Sequence, residues 1–230
     1  MVHLTIDDRP VEVAEGRSVL EACREIGIAV PTLCYHPALE PYGACRLCVV
    51  EVEQPPRPPR LVAACTHPCE AGAVVRTDGE AVRRSRRLTA ELLLAGAAGA
   101  PEIAALAEEL GVTEVRFRAP EENLCVLCGL CVRACREIVG VSAISLIRRG
   151  LAKKVSPPFE IGSAACIGCG TCVLVCPTGA IKLSDVAGFR SVHPSASASE
   201  RRYCRVCGDE ELTPHIVHPS GVAAFLAAER

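Results

Sequence analysis

The chain opens on an alternation of apolar and polar positions. Val2, Leu4 and Ile6 fall on one face of a stretch running to Asp7, the period of a half-buried strand. Asp7-Asp8-Arg9 supplies a turn and Pro10 to Val13 returns, which predicts a hairpin closed off by Gly16. The period then changes to that of a helix. Ser18 and Glu21 have the spacing of a capping box, Val19, Leu20, Cys23 and Ile26 form one apolar face, and Gly27 stops the helix. Cys23 lies on that face and is read as packing. Val49 to Val52 predicts a second strand region. After it, QPPRPPR predicts a surface loop of extended polyproline character. From residue 80 to 110 two helices are predicted, the second from Pro101 to Leu110 with Pro101 at its start and Gly111 at its end. The first carries Arg83, Arg84, Arg86 and Arg87, a run that reads as a solvated face or as a dock for an acidic partner.

No apolar run reaches the ~18 residues needed to span a bilayer. The most apolar region, Leu92 to Ala107, is interrupted by Gly96, Gly99, Pro101 and Glu102. MVHLTIDDRP lacks the basic and apolar regions of a secretory signal, so a soluble, cytoplasmic protein is expected. The net charge of −2 gives no field that favours nucleic acid or a membrane surface. With no tryptophan and 3% aromatic residues, a conventional core is thin, and the 16 cysteines among 230 residues point to metal ligation as a source of folding energy.

Half of those cysteines lie in two runs. Cys125, Cys128, Cys131 and Cys135 read C-x2-C-x2-C-x3-C, and so do Cys166, Cys169, Cys172 and Cys176, with Pro177 following. Zinc takes paired C-x2-C knuckles rather than such triplets, and disulfides need an oxidising compartment. Gly129, Gly168 and Gly170 sit where a loop wrapped around a cluster needs positive φ or close backbone approach. The runs are similar to the signature of bacterial ferredoxins with two [4Fe–4S] clusters. That resemblance implies crossed ligation: one cluster on Cys125, Cys128, Cys131 and Cys176, the other on Cys166, Cys169, Cys172 and Cys135. Arg136 stands where the signature has proline. Since that proline is not a ligand, both clusters are expected.

Upstream, Cys34, Cys45 and Cys48 are followed by Cys65 and Cys69, an open loop able to give four thiolates to a [2Fe–2S] cluster, two to each iron. Gly43 and Ala44 are small enough to let this loop close on it. The order hairpin, helix, loop and strand resembles the β-grasp fold of plant-type ferredoxins, but the C-x10-C-x2-C spacing differs from theirs. TLCYHP, ACRLCVVEV and LVAACTHPCEAG resemble instead the N-terminal domain of complex I's large iron–sulfur subunit. The same module occurs in NAD-linked hydrogenases and formate dehydrogenases. The resemblance favours Cys65 over Cys69 as fourth ligand, giving Cys34, Cys45, Cys48 and Cys65, and leaves Cys69 as a buried thiol. It also marks a loss. After ELLL the long members of that family hold a further [4Fe–4S] cluster on one histidine and three cysteines, whereas here no histidine or cysteine lies between Cys69 and Cys125.

Ser191 to Ser199 reads as a linker, and Gly221 to Arg230 as a short apolar helix. Between them Cys204, Cys207, His215 and His218 form a candidate zinc site, with a partner-completed site or an idle thiol pair as alternatives. The expected class is α+β: a β-grasp [2Fe–2S] ferredoxin domain (1–79), a short helical linker (80–115), a bacterial two-[4Fe–4S] ferredoxin domain (116–187) and a small Cys/His tail (188–230). No GxGxxG and no catalytic triad or paired carboxylates stand out, so no catalytic residue is assigned. The resemblance implies an electron-relay subunit between a flavin-bearing NAD(P)H subunit and a terminal catalytic subunit such as a hydrogenase or formate dehydrogenase, in a family with some electron-bifurcating members. A freestanding ferredoxin-like carrier is the main alternative, and a redox-sensing regulatory protein the weaker one.

Overall fold

The computed structural model describes residues 1–117, 123–160 and 165–181. By backbone contacts the chain divides into two units, one made of Met1–Tyr35 and Pro41–Glu122, the other beginning at Asn123 and taking in His36–Glu40. The linker at 191–199, the candidate zinc ligands Cys204, Cys207, His215 and His218, and the segment 221–230 lie outside the described residues.

The first unit begins with the predicted hairpin. Strands β1 (Val2–Ile6) and β2 (Arg9–Val13) pair antiparallel, Val2 opposite Val13 and Ile6 opposite Arg9. Asp7 and Asp8 between them have φ of 44° and 62°, the left-handed pair that a two-residue hairpin turn demands and that Asp tolerates. Helix α1 (Val19–Glu25) starts on the capping box: the Ser18 amide donates to Glu21 Oε2 at 2.8 Å and the Glu21 amide to Ser18 Oγ at 3.3 Å. Val19, Leu20, Ala22 and Cys23 are buried on one face of α1.

That face packs on a five-stranded sheet ordered β2-β1-β5-β3-β4, with β3 at Val49–Gln54, β4 at Arg57–Ala63 and β5 at Val74–Arg76. β5 runs parallel to β1 and antiparallel to β3, so a three-residue strand fills the middle of the sheet. Ile6, Leu20, Val50, Val52 and Val75 are among the fully buried side chains. Each such burial contributes about 1.5–3 kcal/mol relative to exposure. A sheet wrapped on one helix is the β-grasp arrangement. Asp7 ties the ends of β1 and β5 together, accepting from the Thr77 amide at 2.7 Å and from the Thr77 hydroxyl.

The sequence QPPRPPR was expected to be a loop, and the structure corrects this. Only its middle is a turn, and Arg57 onward belongs to β4. Two circumstances allow it. β4 is an edge strand, and Pro58 and Pro59 fall where the register with β3 shifts, between the Val52–Arg60 and Gln54–Arg57 pairs. A missing amide costs least at a bulge on an edge.

Helices α2 (Glu80–Gly96) and α3 (Pro101–Glu109) belong to the same unit and pack on one another, with Val82 and Ala90 buried on α2 and Ile103 and Ala107 buried on α3. Ala97 and Ala100, in the turn between them, are fully buried. Glu91 of α2, 4% exposed, accepts from the Arg116 amide at 2.7 Å and from its guanidinium at 2.6 Å.

In the second unit each cysteine run leads into a short helix, α4 (Leu130–Arg133) and α5 (Thr171–Leu174). Between them lies a small antiparallel ribbon of β6 (Ser145–Ile147) and β7 (Lys154–Ser156). The two helices end differently. After α4 the chain continues through a wide π-turn, Ala134–Ile138, and reverses at Gly140, where φ is 80°. After α5 it leaves the helix before Cys176-Pro177. Arg136 keeps the amide that Pro177 lacks, so the first run has no block to one more helical turn. Among the described residues no helix is long and apolar enough to cross a membrane.

Candidate functional site

Four of the sequence-predicted sulfurs converge in the first unit as two pairs. The Cys45 amide donates to Cys34 Sγ at 3.3 Å, and the sulfurs of Cys48 and Cys65 lie 3.4 Å apart. All four residues are buried, at 1% exposure for Cys34, Cys48 and Cys65 and 7% for Cys45. The loop from Cys45 to Cys48 enters β3, and Cys65 follows β4, with the Ala64 amide bonded to the Cys48 carbonyl at 3.0 Å. Gly43 shows why this loop is glycine-bearing: its φ is 66°, and a Cβ there would meet the Thr66 side chain at 3.3 Å.

A side-chain hydrogen bond within each pair lowers one thiol and raises the other: Cys45 is drawn down and Cys34 pushed up, and Cys48 is drawn down and Cys65 pushed up. The thiol drawn down is the readier of each pair to form the thiolate, the form that binds metal, and metal binding displaces thiol protons.

Cys69 is buried but stands apart from these pairs in its bonding. Its amide donates to the Arg17 carbonyl at 2.8 Å, and burial pushes its thiol up to about 11. Burial pushes Cys23, 0% exposed on α1, to about 12. Both residues lie in the apolar core of the sheet and helix.

In the second unit a small cavity is lined by Cys125, Cys128, Cys131 and Cys176, together with Gly129, Val155, Pro177 and Ile181. The fourth cysteine of the second run therefore faces the first three of the first run. Burial pushes Cys131 up to about 12, with Cys128, Cys125, Cys172 and Cys176 adding to the effect. Cys172 is pushed to about 12 by burial and then by Cys169, Cys166 and Cys135. Cys135 is raised by burial and by Cys169 and Cys166, against amide bonds from Ala143 and Ile144 that lower it. Amides reach the sulfur of the fourth cysteine of each run, Ala143 to Cys135 Sγ at 3.3 Å and Ala180 to Cys176 Sγ at 3.2 Å. Such bonds stabilise thiolate ligands.

The two loops share a backbone path. Gly129 and Gly170 cap their helices at φ of 75° and 73°, and Leu127 and Gly168, both one residue before the second cysteine, have φ of 54° and 71°. Leu127 thus takes a left-handed conformation that glycine takes in the second run. Arg46, between Cys45 and Cys48, is left-handed too, at φ 58°, and its side chain is exposed. Arg46→Gly is therefore expected to raise stability by about 0.5–1 kcal/mol, the left-handed penalty less the flexibility glycine adds. Thermal unfolding of the cluster-loaded chain checks this, and a lowered midpoint would contradict it.

The arginine run of α2 divides. Arg83, Arg84 and Arg87 are exposed, but Arg86 is 7% exposed. Its Nε–H donates to the Leu47 carbonyl at 3.1 Å and its Nη2–H to the Val49 carbonyl at 2.9 Å. Reading the run as one solvated face missed this. The signal available was the spacing of Arg86 from Val82 and Ala90, four residues either way on the buried face.

None of the described cysteines forms a disulfide. A buried sulfur quartet in the first unit, half-buried and buried cysteines gathered by two loops in the second, amide-to-sulfur bonds and left-handed loop positions are what iron–sulfur clusters require of a chain, and the donors present fit them. The fold and the donor sets define an iron–sulfur electron-transfer protein. A family model described as a 2Fe-2S iron-sulfur cluster binding domain matches residues 1–80, and one described as a 4Fe-4S dicluster domain matches residues 120–183. The chain accordingly carries one [2Fe–2S] and two [4Fe–4S] clusters. It is 34% identical over 207 residues to an NADH-quinone oxidoreductase subunit of Rhizobium meliloti, covering 79% of this chain and 24% of that protein. Against the NADPH-Fe(3+) oxidoreductase subunit alpha of Geobacter sulfurreducens it is 33% identical over 231 residues, 90% of this chain and 27% of the relative. The chain thus spans about a quarter of the length of these relatives. A chain in the crystal structure of an NAD+-reducing [NiFe]-hydrogenase in the H2-reduced state matches with TM-score 0.59 and 31% identity, over 68% of this chain and 75% of that one. The chain belongs to the family of iron–sulfur subunits of NAD(P)-linked oxidoreductases and hydrogenases. Between Cys69 and Cys125 the sequence has no histidine or cysteine, and buried alanines occupy the α2–α3 turn.

Proposed function

We propose that the chain is the electron-relay subunit of a hetero-oligomeric NAD(P)-linked oxidoreductase. It works between a flavin-bearing subunit that exchanges electrons with NAD(P)H and a catalytic subunit of the hydrogenase or formate dehydrogenase kind. The observation that carries this reading is the likeness to one chain of an NAD+-reducing hydrogenase over 75% of that chain's length, with both cluster-binding modules in this single chain.

In this reading Cys34 and Cys45 hold one iron of the [2Fe–2S] cluster and Cys48 and Cys65 the other, as their close pairing supports. Cys125, Cys128, Cys131 and Cys176 hold one [4Fe–4S] cluster, which the shared cavity supports. Cys166, Cys169, Cys172 and Cys135 hold the other, supported by the mutual influence of their thiols. Bound clusters supply one-electron transfer. The chain's own work is to keep the sulfurs from water, direct amides at them and fix their positions, so that little has to move when an electron arrives.

The test is reduction of the purified, cluster-loaded chain. NADH added to the chain is expected to leave the visible absorption unchanged, and a catalytic amount of a flavoprotein NADH dehydrogenase is expected to bleach it. Bleaching by NADH without flavoprotein would overturn the relay.

A further inference from the structure

We propose that Arg86 is a positioning residue for the [2Fe–2S] cluster: it clamps the carbonyls of the two residues that flank Cys48 and supplies a buried positive charge that favours the reduced state. The inference rests on the ligand set proposed above for Cys34, Cys45, Cys48 and Cys65.

The clamp is visible in the bonds. Leu47 and Val49 flank Cys48, and one guanidinium takes both of their carbonyls, at 3.1 and 2.9 Å. A planar fork spans two acceptors at fixed separation, which the single ammonium of lysine does not. Because a trans peptide holds its C=O and N–H on opposite sides, fixing these carbonyls also fixes the amides of Cys48 and Val50, pointing away from Arg86. The anchor is firm, since α2 carries Arg86 between the buried Val82 and Ala90.

The charge follows from burial. Arg83 on the same helix pairs with the Asp78 carboxylate at 2.9 Å, at the surface, where water and salt screen it. Arg86 is held instead by two neutral carbonyls, with Asp78, Cys48, Cys23 and Asp7 acting on it at longer range against the cost of its burial. A buried guanidinium without a bonded carboxylate projects a field into its surroundings that is screened far less than a surface charge. Reduction adds one negative charge beside Cys48, so that field favours the electron. None of the exposed arginines of α2 can act in this way.

The test uses the full chain loaded with all its clusters, in native form and as Arg86→Gln and Arg86→Lys. Redox titration followed by EPR reads the [2Fe–2S] signal, with the [4Fe–4S] signals as internal reference. At the native midpoint, the ratio of reduced to oxidised cluster in Arg86→Gln is expected to fall about tenfold, a shift of about 59 mV downward for one electron. Arg86→Lys, which keeps the charge but not the fork, is expected to keep its midpoint within about threefold of native, the lost clamp showing instead as lower [2Fe–2S] occupancy. An Arg86→Gln chain with its cluster intact and its midpoint unmoved would overturn the proposal, as would Arg86→Lys displaced as far as Arg86→Gln. Should Arg86→Gln lose the cluster, Arg86→Lys decides: a near-native midpoint supports the charge, and a tenfold fall overturns it. A native chain with no [2Fe–2S] signal would sink the ligand set instead, and is distinguishable for that reason.

Discussion

Cys135→Ala is expected to abolish the [4Fe–4S] cluster of the second run while sparing that of the first, although Cys135 lies in the first run. Cys176→Ala is expected to do the reverse. The basis is the cavity where Cys176 faces Cys125, Cys128 and Cys131, and the placement of Cys135 near Cys166 and Cys169. In a loop with two-residue gaps three sulfurs reach one cube, and a fourth displaced into the following helix reaches the other. The measurement is iron content with EPR. Native chain holds about ten irons, and each variant is expected to fall to about six. Cys125→Ala and Cys166→Ala serve as references for the two signals. Crossed ligation requires Cys135→Ala to match Cys166→Ala. If it matches Cys125→Ala, each run holds its own cluster and the assignment is wrong.

The second large effect separates Cys65 from Cys69. Cys65→Ala is expected to remove the [2Fe–2S] cluster, lowering iron by about two per chain. Cys69→Ala is expected to keep the cluster and cost about 1 kcal/mol in stability, as for any small apolar group lost from a core. The reason is contact: Cys65 Sγ lies 3.4 Å from Cys48 Sγ, whereas Cys69 is bonded through its amide to the Arg17 carbonyl. Loss of the [2Fe–2S] EPR signal from Cys69→Ala with its retention in Cys65→Ala would reverse the roles.

Much of the fold could be read in advance where local chemistry is decisive. The hairpin follows from two aspartates that accept left-handed geometry, and α1 from a capping box and a glycine at φ 75° just beyond its end. The cysteine spacings carried the cluster types because the spacing is itself the geometry of the loop. Features set by distant partners were hidden. β5 is three residues long and is a strand because β1 and β3 flank it. β4 reads as a proline-rich loop because its strand character comes from pairing with β3 at an edge. Arg86 looks like its neighbours in sequence and differs only in facing Leu47 and Val49, nearly forty positions earlier in the chain.

The proline-bearing margin of the sheet bears on the life of the chain before iron reaches it. A newly made subunit must wait for its cofactors, and during that wait an open strand invites identical chains to stack. On β4, Pro58 and Pro59 offer no amide, and the cations Arg57 and Arg60 beside them repel a like copy. The same residues that disguise the strand in the sequence thus guard the empty polypeptide against fibril growth from that side.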